Sequence, residues 1–415
     1  MNYSTKNMKA NKLGIFLYNR LFDSLIQSNF WLYINDYLQH DNGTRIYLIT
    51  YEDDRFPLTT EQEKLVAAWK DKGLVWVKLK WNPGTSILSK TKDILKGFLA
   101  VTQLRVKGCT HFVSLASVAG SFLYLYHIVL RFKFFLYQFE PHSEYAIDNN
   151  MWPKNSLQYK ISHFLERKAA ENAKVIASGT KFMEERLKAE WKVKAAFFKI
   201  PTVANDKKFL FSEQNRALMR EKLGFNDSTN VLFYPGKFGD LYYREETAFM
   251  FKWILEEDQN FHFLIVTPHK DEEIIAMMDQ AKVEASSYTI AHSNYDDIHH
   301  YFAAADFAVI AVPPGPSKKF ISNIKVGEYL TAGLPFLITE GISEDYIYAT
   351  DKKVGVVVKD FKEDYIKKAI PEIQAYLKMD REALRNHCRK VGLEYRGFDN
   401  LNKTFKNAVT SLFSK

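Results

Sequence analysis

The densest concentration of chemically capable residues lies between Phe307 and Thr339, FAVIAVPPGPSKKFISNIKVGEYLTAGLPFLIT. Its apolar start reads as a buried strand ending at Val312, and the Pro/Gly loop that follows leads to a helix predicted to begin near Ser322. Ser322 or Asn323 can cap that helix, because either side chain can accept a bond from an orphan amide of the first turn. Gly333 stops the helix, and Pro335 prevents its resumption before a new strand at Phe336. The N–H groups of Ser322, Asn323 and Ile324 are then left free at the carboxyl edge of a sheet. With the helix dipole behind them, they form an anion site.

Lys325 stands in that first turn, where a cation opposes the dipole by about 0.3–1 kcal/mol. A bound anion would offset this cost. Glu328 follows three residues later and projects from nearly the same face. A carboxylate accepts two hydroxyl hydrogen bonds, which suits the diol of a ribose or another sugar. The same spacing also describes a Lys325–Glu328 surface ion pair of little energetic value. Spacing alone does not separate the two.

Elements able to hold such a site recur along the chain. Strand candidates in the first half are 13–18, 45–51, 74–79, 111–115, 134–139 and 175–178, with amphipathic helical stretches between them. The pattern restarts after Lys199-Ile200-Pro201-Thr202 with 230–234, 261–267, 288–291, 307–312, 336–339 and 355–358. Such alternation builds parallel sheets from βαβ units. It predicts an α/β chain of two Rossmann-like domains, 1–200 and 201–395, joined near residues 199–207. Open parallel sheets bind ligands at the carboxyl ends of their strands, so two such domains facing each other place the site in a cleft. Residues 396–415 form a last helix, striped by Leu401, Phe405, Val409 and Leu412, that can pack on either domain.

Composition narrows the class. The chain has 415 residues, 47% hydrophobic and 26% charged, with 18 Gly, 12 Pro and 2 Cys. Disorder, collagen-like repeats and disulfide scaffolds do not fit these values. Cys109 and Cys388 lie far apart in sequence, which suits a reduced, cytosolic compartment. The most apolar run, Ser121 to Leu130, is about half the length of a spanning helix, and the polar N-terminus carries no signal-peptide core. Net charge is +8, and it is uneven: residues 1–200 hold 29 Lys+Arg against 18 Asp+Glu, whereas the remainder has a small acidic excess. A net +11 half fits anionic lipid headgroups or nucleic acid, or simply a solvated lysine-rich surface. No recognition helix or RNA-binding signature is present, so nucleic acid is not expected as a partner.

The run Ser322 to Phe336 resembles the donor-binding motif of GT-B glycosyltransferases of the group 1, or family 4, type. One branch carries S-x-x-K-x-x-E-Y-L-x-x-G-x-P there, matched by Ser322, Lys325, Glu328, Tyr329, Leu330, Gly333 and Pro335. Gly341–Ile347, Lys353–Val358 and Tyr295–Asp306 are similar to further elements of that family. The resemblance is specific over 230–360 and mostly topological over 1–200. It implies that Glu328 binds the ribose of a nucleotide-sugar donor, while the amides of Ser322, Asn323 and Ile324 hold its diphosphate beside Lys325. The loop Tyr234–Arg244, with Gly236 at its turn, resembles the family's strand-end loop, where two cations bind the diphosphate. Lys237 matches the first. The second falls at Tyr242, so Arg244 is the nearest substitute. His142, with Glu140 and Glu144 as alternatives, matches a residue near the transferred sugar.

The resemblance implies a cytosolic hexosyltransferase-like enzyme that acts on a hydroxyl of a bacterial surface-glycan or lipid-linked precursor. It implies retention at the anomeric carbon, no metal, and no cofactor beyond the nucleotide-sugar substrate. The basic half would touch the inner face of an anionic membrane. Two departures keep alternatives open: Phe320 replaces a glutamate that contacts the sugar, and Asn19–Ser28 lacks the family's glycine-rich loop. These motivate a non-catalytic nucleotide-binding or partner module of a glycan-assembly complex. A nucleotide-sugar epimerase on the same fold is the other alternative.

Overall fold

A computed structural model describes residues 11–40, 43–84, 87–294 and 296–414. The extreme N-terminus and Tyr295, both quoted above, lie outside the described residues. Two compact units emerge. The first runs through Glu144, resumes over Trp152–Ile200 and takes the chain end from Asn402; the second comprises Tyr145–Met151 and Pro201–Leu401.

In the first unit the chain runs β1 (Asn11–Leu17), α1 (Ser24–Asn29), α2 (Trp31–His40), β2 (Thr44–Glu52), α3 (Thr60–Asp71), β3 (Val75–Lys80) and α4 (Ile87–Val106). It continues through β4 (His111–Leu115), α5 (Ser117–Leu130), β5 (Lys133–Gln138), the start of α6 (His142–Asp148) as far as Glu144, α7 (Leu157–Asn172), β6 (Val175–Ser178), α8 (Lys181–Trp191) and β7 (Ala196–Lys199). The sheet is wholly parallel, in the order β3-β2-β1-β4-β5-β6-β7. A parallel sheet is covered on both faces, which is why β1, β4 and β5 read as near-continuous apolar runs. Steps from β1 to β2 and β3 run one way across the sheet, and steps from β3 through β6 run the other. Right-handed crossovers therefore place α1–α3 on one face and α4, α5 and α7 on the opposite face.

The strand order reverses between β1 and β4. Just past β4, Ala116 has φ 68° and ψ 161°, a region essentially reserved for glycine. Its N–H donates to Tyr137 O at 2.8 Å and its carbonyl accepts from Gly120 N at 3.1 Å, so the strained geometry is held from both sides. Ala116→Gly is expected to stabilise the protein by about 1 kcal/mol, after allowing for glycine's greater unfolded-state entropy. Urea unfolding measures this directly, and a lowered midpoint would contradict the strain.

The second unit runs α9 (Glu213–Leu223), β8 (Asn230–Pro235), α10 (Glu245–Glu257), β9 (Phe261–Val266), α11 (Asp271–Ala281), β10 (Tyr288–Ala291) and α12 (His299–Ala304). Then come β11 (Phe307–Ile310), α13 (Ile324–Thr331), β12 (Phe336–Thr339), α14 (Asp345–Asp351), β13 (Gly355–Val358), α15 (Glu363–Leu377), α16 (Arg381–Arg396) and the start of α17 (Phe398–Phe413) as far as Leu401. Its parallel sheet has the order β10-β9-β8-β11-β12-β13. Apolar layers cover both faces. One is built around Phe251, Phe263 and Ile370, the other around Phe233, Phe302 and Tyr329. The far end of α17 packs in the first unit, where Phe405 stacks on Tyr33 with centroids 4.6 Å apart and Lys406 pairs with Asp36 at 2.5 Å.

Candidate functional site

In the second sheet the chain moves outward from β8 to β9 and β10, then returns to β11 and moves the other way. β8 and β11 are neighbours, so the loops leaving their carboxyl ends diverge and open a crevice between them. Ligands of open α/β sheets bind at such a switch point. The loop after β8 carries Gly236, Lys237 and Arg244, and the loop after β11 leads to α13. The topology thus brings both sequence-derived groups to one edge of one sheet.

The helix starts at Ile324, and Asn323, not Ser322, is its cap: Asn323 Oδ1 accepts from Lys325 N at 3.0 Å. Among the described residues the amides of Ser322, Asn323 and Ile324 donate to no protein group, and buried Asn323 Nδ2 has no partner either. Four N–H-bearing groups are thus available for an anion.

Ser322 has a different task from capping. Its Oγ accepts from Thr202 N at 2.9 Å and lies 3.1 Å from an Arg396 guanidinium nitrogen. Arg396, fully buried on α16, also donates to Thr202 Oγ1 at 2.6 Å and pairs with buried Asp345 at 2.5 Å. Breaking such a pair would strand a buried charge, so the pair fixes the entry to α13 firmly. Gly327 permits the approach, since a Cβ there would lie 3.2 Å from Arg396. Arg396 and Thr202 carry no local sequence signal, because their role exists only once α16 folds back onto α13.

Lys325 reaches across to the β8 loop. Its Nζ lies 3.9 Å from the Tyr242 ring centroid, and a Cβ on Gly236 would fall 2.2 Å from that Nζ. Gly236, at φ 139°, is therefore needed both for its backbone angle and for the space it leaves. Tyr242, which stands where a cation is expected, instead offers its π face to one.

Glu328 is buried, with 8% of its surface exposed, so it is no surface partner of Lys325. Among the described residues its carboxylate accepts no hydrogen bond and has no ion pair within 4.0 Å. Burial pushes its pKa up to about 7, against the opposing pull of Lys325 and Lys208. A buried carboxylate without hydrogen-bond donors is costly, and such groups mark functional sites. Lys208, just after the link between units, is the neighbour that sequence reading missed.

Lys237 is exposed, and its carbonyl accepts from Tyr234 Oη at 2.5 Å. Arg244 is exposed at the start of α10 and pairs with Glu245 at 3.2 Å. Between them Tyr243 stacks on Phe361 at 4.6 Å, pinning the loop. Phe320 is buried in the approach to α13.

His142 opens α6, at the carboxyl edge of the first unit's sheet. Burial disfavours its charged form, but Glu140, 3.8 Å away, and Glu166 outweigh this, so its pKa is raised. Trp152 meets the ring edge-on at 5.5 Å. Buried Glu166 accepts from Ser143 N at 2.9 Å and Ser143 Oγ at 2.7 Å, which anchors the helix start. Glu144 pairs with Arg186 and lies 4.0 Å from His163 Nδ1. Among the described residues, no group of three or more His, Cys, Asp and Glu side chains could hold a metal ion.

No protein-family model matches the chain, and no curated protein sequence matches it. Its fold does match solved structures. Sucrose-phosphate synthase from Thermosynechococcus elongatus is similar at TM-score 0.70 and 13% identity, over 97% of this chain and 99% of that one. Anabaena HepE in complex with UDP-glucose is similar at TM-score 0.68 and 9% identity, over 96% and 99%. WaaG, a glycosyltransferase involved in lipopolysaccharide biosynthesis, is similar at TM-score 0.65 and 15% identity, over 97% and 100%. The chain has the GT-B fold of these glycosyltransferases, built on two Rossmann-like sheets.

Proposed function

We propose that the protein is a glycosyltransferase that moves a sugar from a nucleotide-sugar donor to a hydroxyl of a bacterial surface-glycan or lipid-linked precursor. One observation carries this reading: at the start of α13, N–H donors that bond no protein group among the described residues stand one turn from a buried carboxylate that accepts no hydrogen bond among those residues. The amides and Asn323 Nδ2 suit a diphosphate, and Glu328 suits the ribose diol. Cleaving the glycosyl–phosphate bond builds negative charge on the departing diphosphate, which Lys325, Lys237 and Arg244 would stabilise without a metal or other cofactor. The sugar is transferred with retention at the anomeric carbon. The basic first half would rest on an anionic membrane surface from the cytoplasmic side.

HepE was solved with UDP-glucose, so uridine nucleotides head the test. In a thermal-shift panel of UDP, ADP and GDP with their glucose conjugates, one base is expected to raise the melting temperature by a few degrees. A ligand at a hundred times its Kd stabilises by about 2.7 kcal/mol. A flat response to every nucleotide and nucleotide sugar would sink the proposal. Phe320 favours one second reading, a nucleotide-binding module without catalysis. Donor binding with neither transfer nor donor hydrolysis would select it.

A further inference from the structure

Of fourteen large apolar side chains that are exposed among the described residues, eight fall on three helices of the first unit, each at least half exposed. α4 presents Leu95, Leu99 and Val106, and α7 presents Leu157, Ile161 and Phe164. The spacings place each set along one stripe of its helix. Ile128 and Val129 add the end of α5, which packs against both other helices. All three helices lie on the same face of the sheet, as the direction of their crossovers requires. A patch of this extent marks an interaction surface.

Charge identifies the occupant. α5 has no acidic residue, and the acids of α4 and α7 are Asp93, Glu166 and Glu171. Asp93 and Glu166 are buried, and Glu171 is neutralised by Arg167 at 2.7 Å and Lys168 at 2.8 Å. Lys92 and Lys160 are exposed beside the apolar stripes, and Arg131 follows α5. We infer that the α4–α5–α7 face docks on an anionic lipid bilayer, with the apolar rows entering the acyl boundary and the lysines reaching the headgroups. The assignment rests on the membrane contact proposed above and locates it. Among the described residues no helix is long and apolar enough to cross a membrane, so the contact is interfacial.

Flotation of the full-length protein with vesicles tests this, using phosphatidylcholine alone and phosphatidylcholine mixed with phosphatidylglycerol. The parent is expected to bind only the anionic vesicles, and salt should release it. Leu99→Ser with Phe164→Ser should weaken binding by about tenfold per side chain. Lys92→Glu with Lys160→Glu should weaken it by at least about fivefold per residue. These residues are exposed, so unchanged circular dichroism melts and unchanged nucleotide-induced shifts are expected in both variants. A parent indifferent to anionic vesicles would refute the membrane contact itself. A parent that binds, with both variants binding equally well, would refute only this face. Conversion of a parent dimer to monomers by the serine variant, seen by light scattering, would reassign the face to contact between copies.

Discussion

Glu328→Ala is expected to weaken nucleotide-sugar binding about 10²-fold, measured by titration calorimetry. The parent carboxylate is buried and accepts no hydrogen bond among the described residues. A diol would supply both missing donors. Hydrogen bonds to charged groups contribute about 1.5–3 kcal/mol each, so losing the pair accounts for the expected change even when part of it is recovered by water. Glu328→Gln sharpens the test. Burial raises the glutamate's pKa to about 7, so the folded protein holds this proton more tightly than the unfolded chain does. Stability from this group is therefore greatest below the ordinary carboxyl range and falls as pH rises through about 7. The glutamine variant escapes that fall. At pH 8 it should be more stable than the parent by about 1–3 kcal/mol while binding donor poorly. Donor affinity of the parent should rise between pH 6 and 8, and that rise should vanish in the variant. Parent-like affinity and turnover in both variants would end the assignment of Glu328.

Much of this arrangement was legible in the residues. The apolar strands of both sheets announced themselves as continuous runs, and Gly333 with Pro335 marked the end of α13 to within two residues. β7 was not legible, because AFFK is half exposed at a sheet edge and carries no buried run. The choice between a buried carboxylate and a surface ion pair at Glu328 was also closed to sequence. It depends on Lys325 swinging over Gly236 toward Tyr242, a contact between segments some ninety residues apart. The anchoring of Ser322 by Arg396 and Thr202 was hidden for the same reason. Sequence pattern reports what a segment does to itself; it is silent on which distant side chain completes a site.

Lys237→Ala is expected to lower kcat by about 10²–10³-fold at saturating donor, with a smaller change in KM. Donors aimed at charge that develops in the transition state contribute on this scale. Lys237 leaves the carboxyl end of β8 directly after Gly236, at the switch point, and among the described residues it pairs with no carboxylate. Its ammonium is thus free to follow the departing diphosphate. Arg244 stands farther along the loop and already shares its guanidinium with Glu245 at 3.2 Å. Arg244→Ala should therefore cost less, about tenfold in kcat. The loop itself should survive both changes, since Tyr243 on Phe361 and Phe238 in the core hold it independently of either cation. Single-turnover rates with excess enzyme separate chemistry from product release. A Lys237→Ala enzyme with parent-like single-turnover rate would remove Lys237 from the leaving-group site, and a larger loss in Arg244→Ala would give Arg244 the leading role.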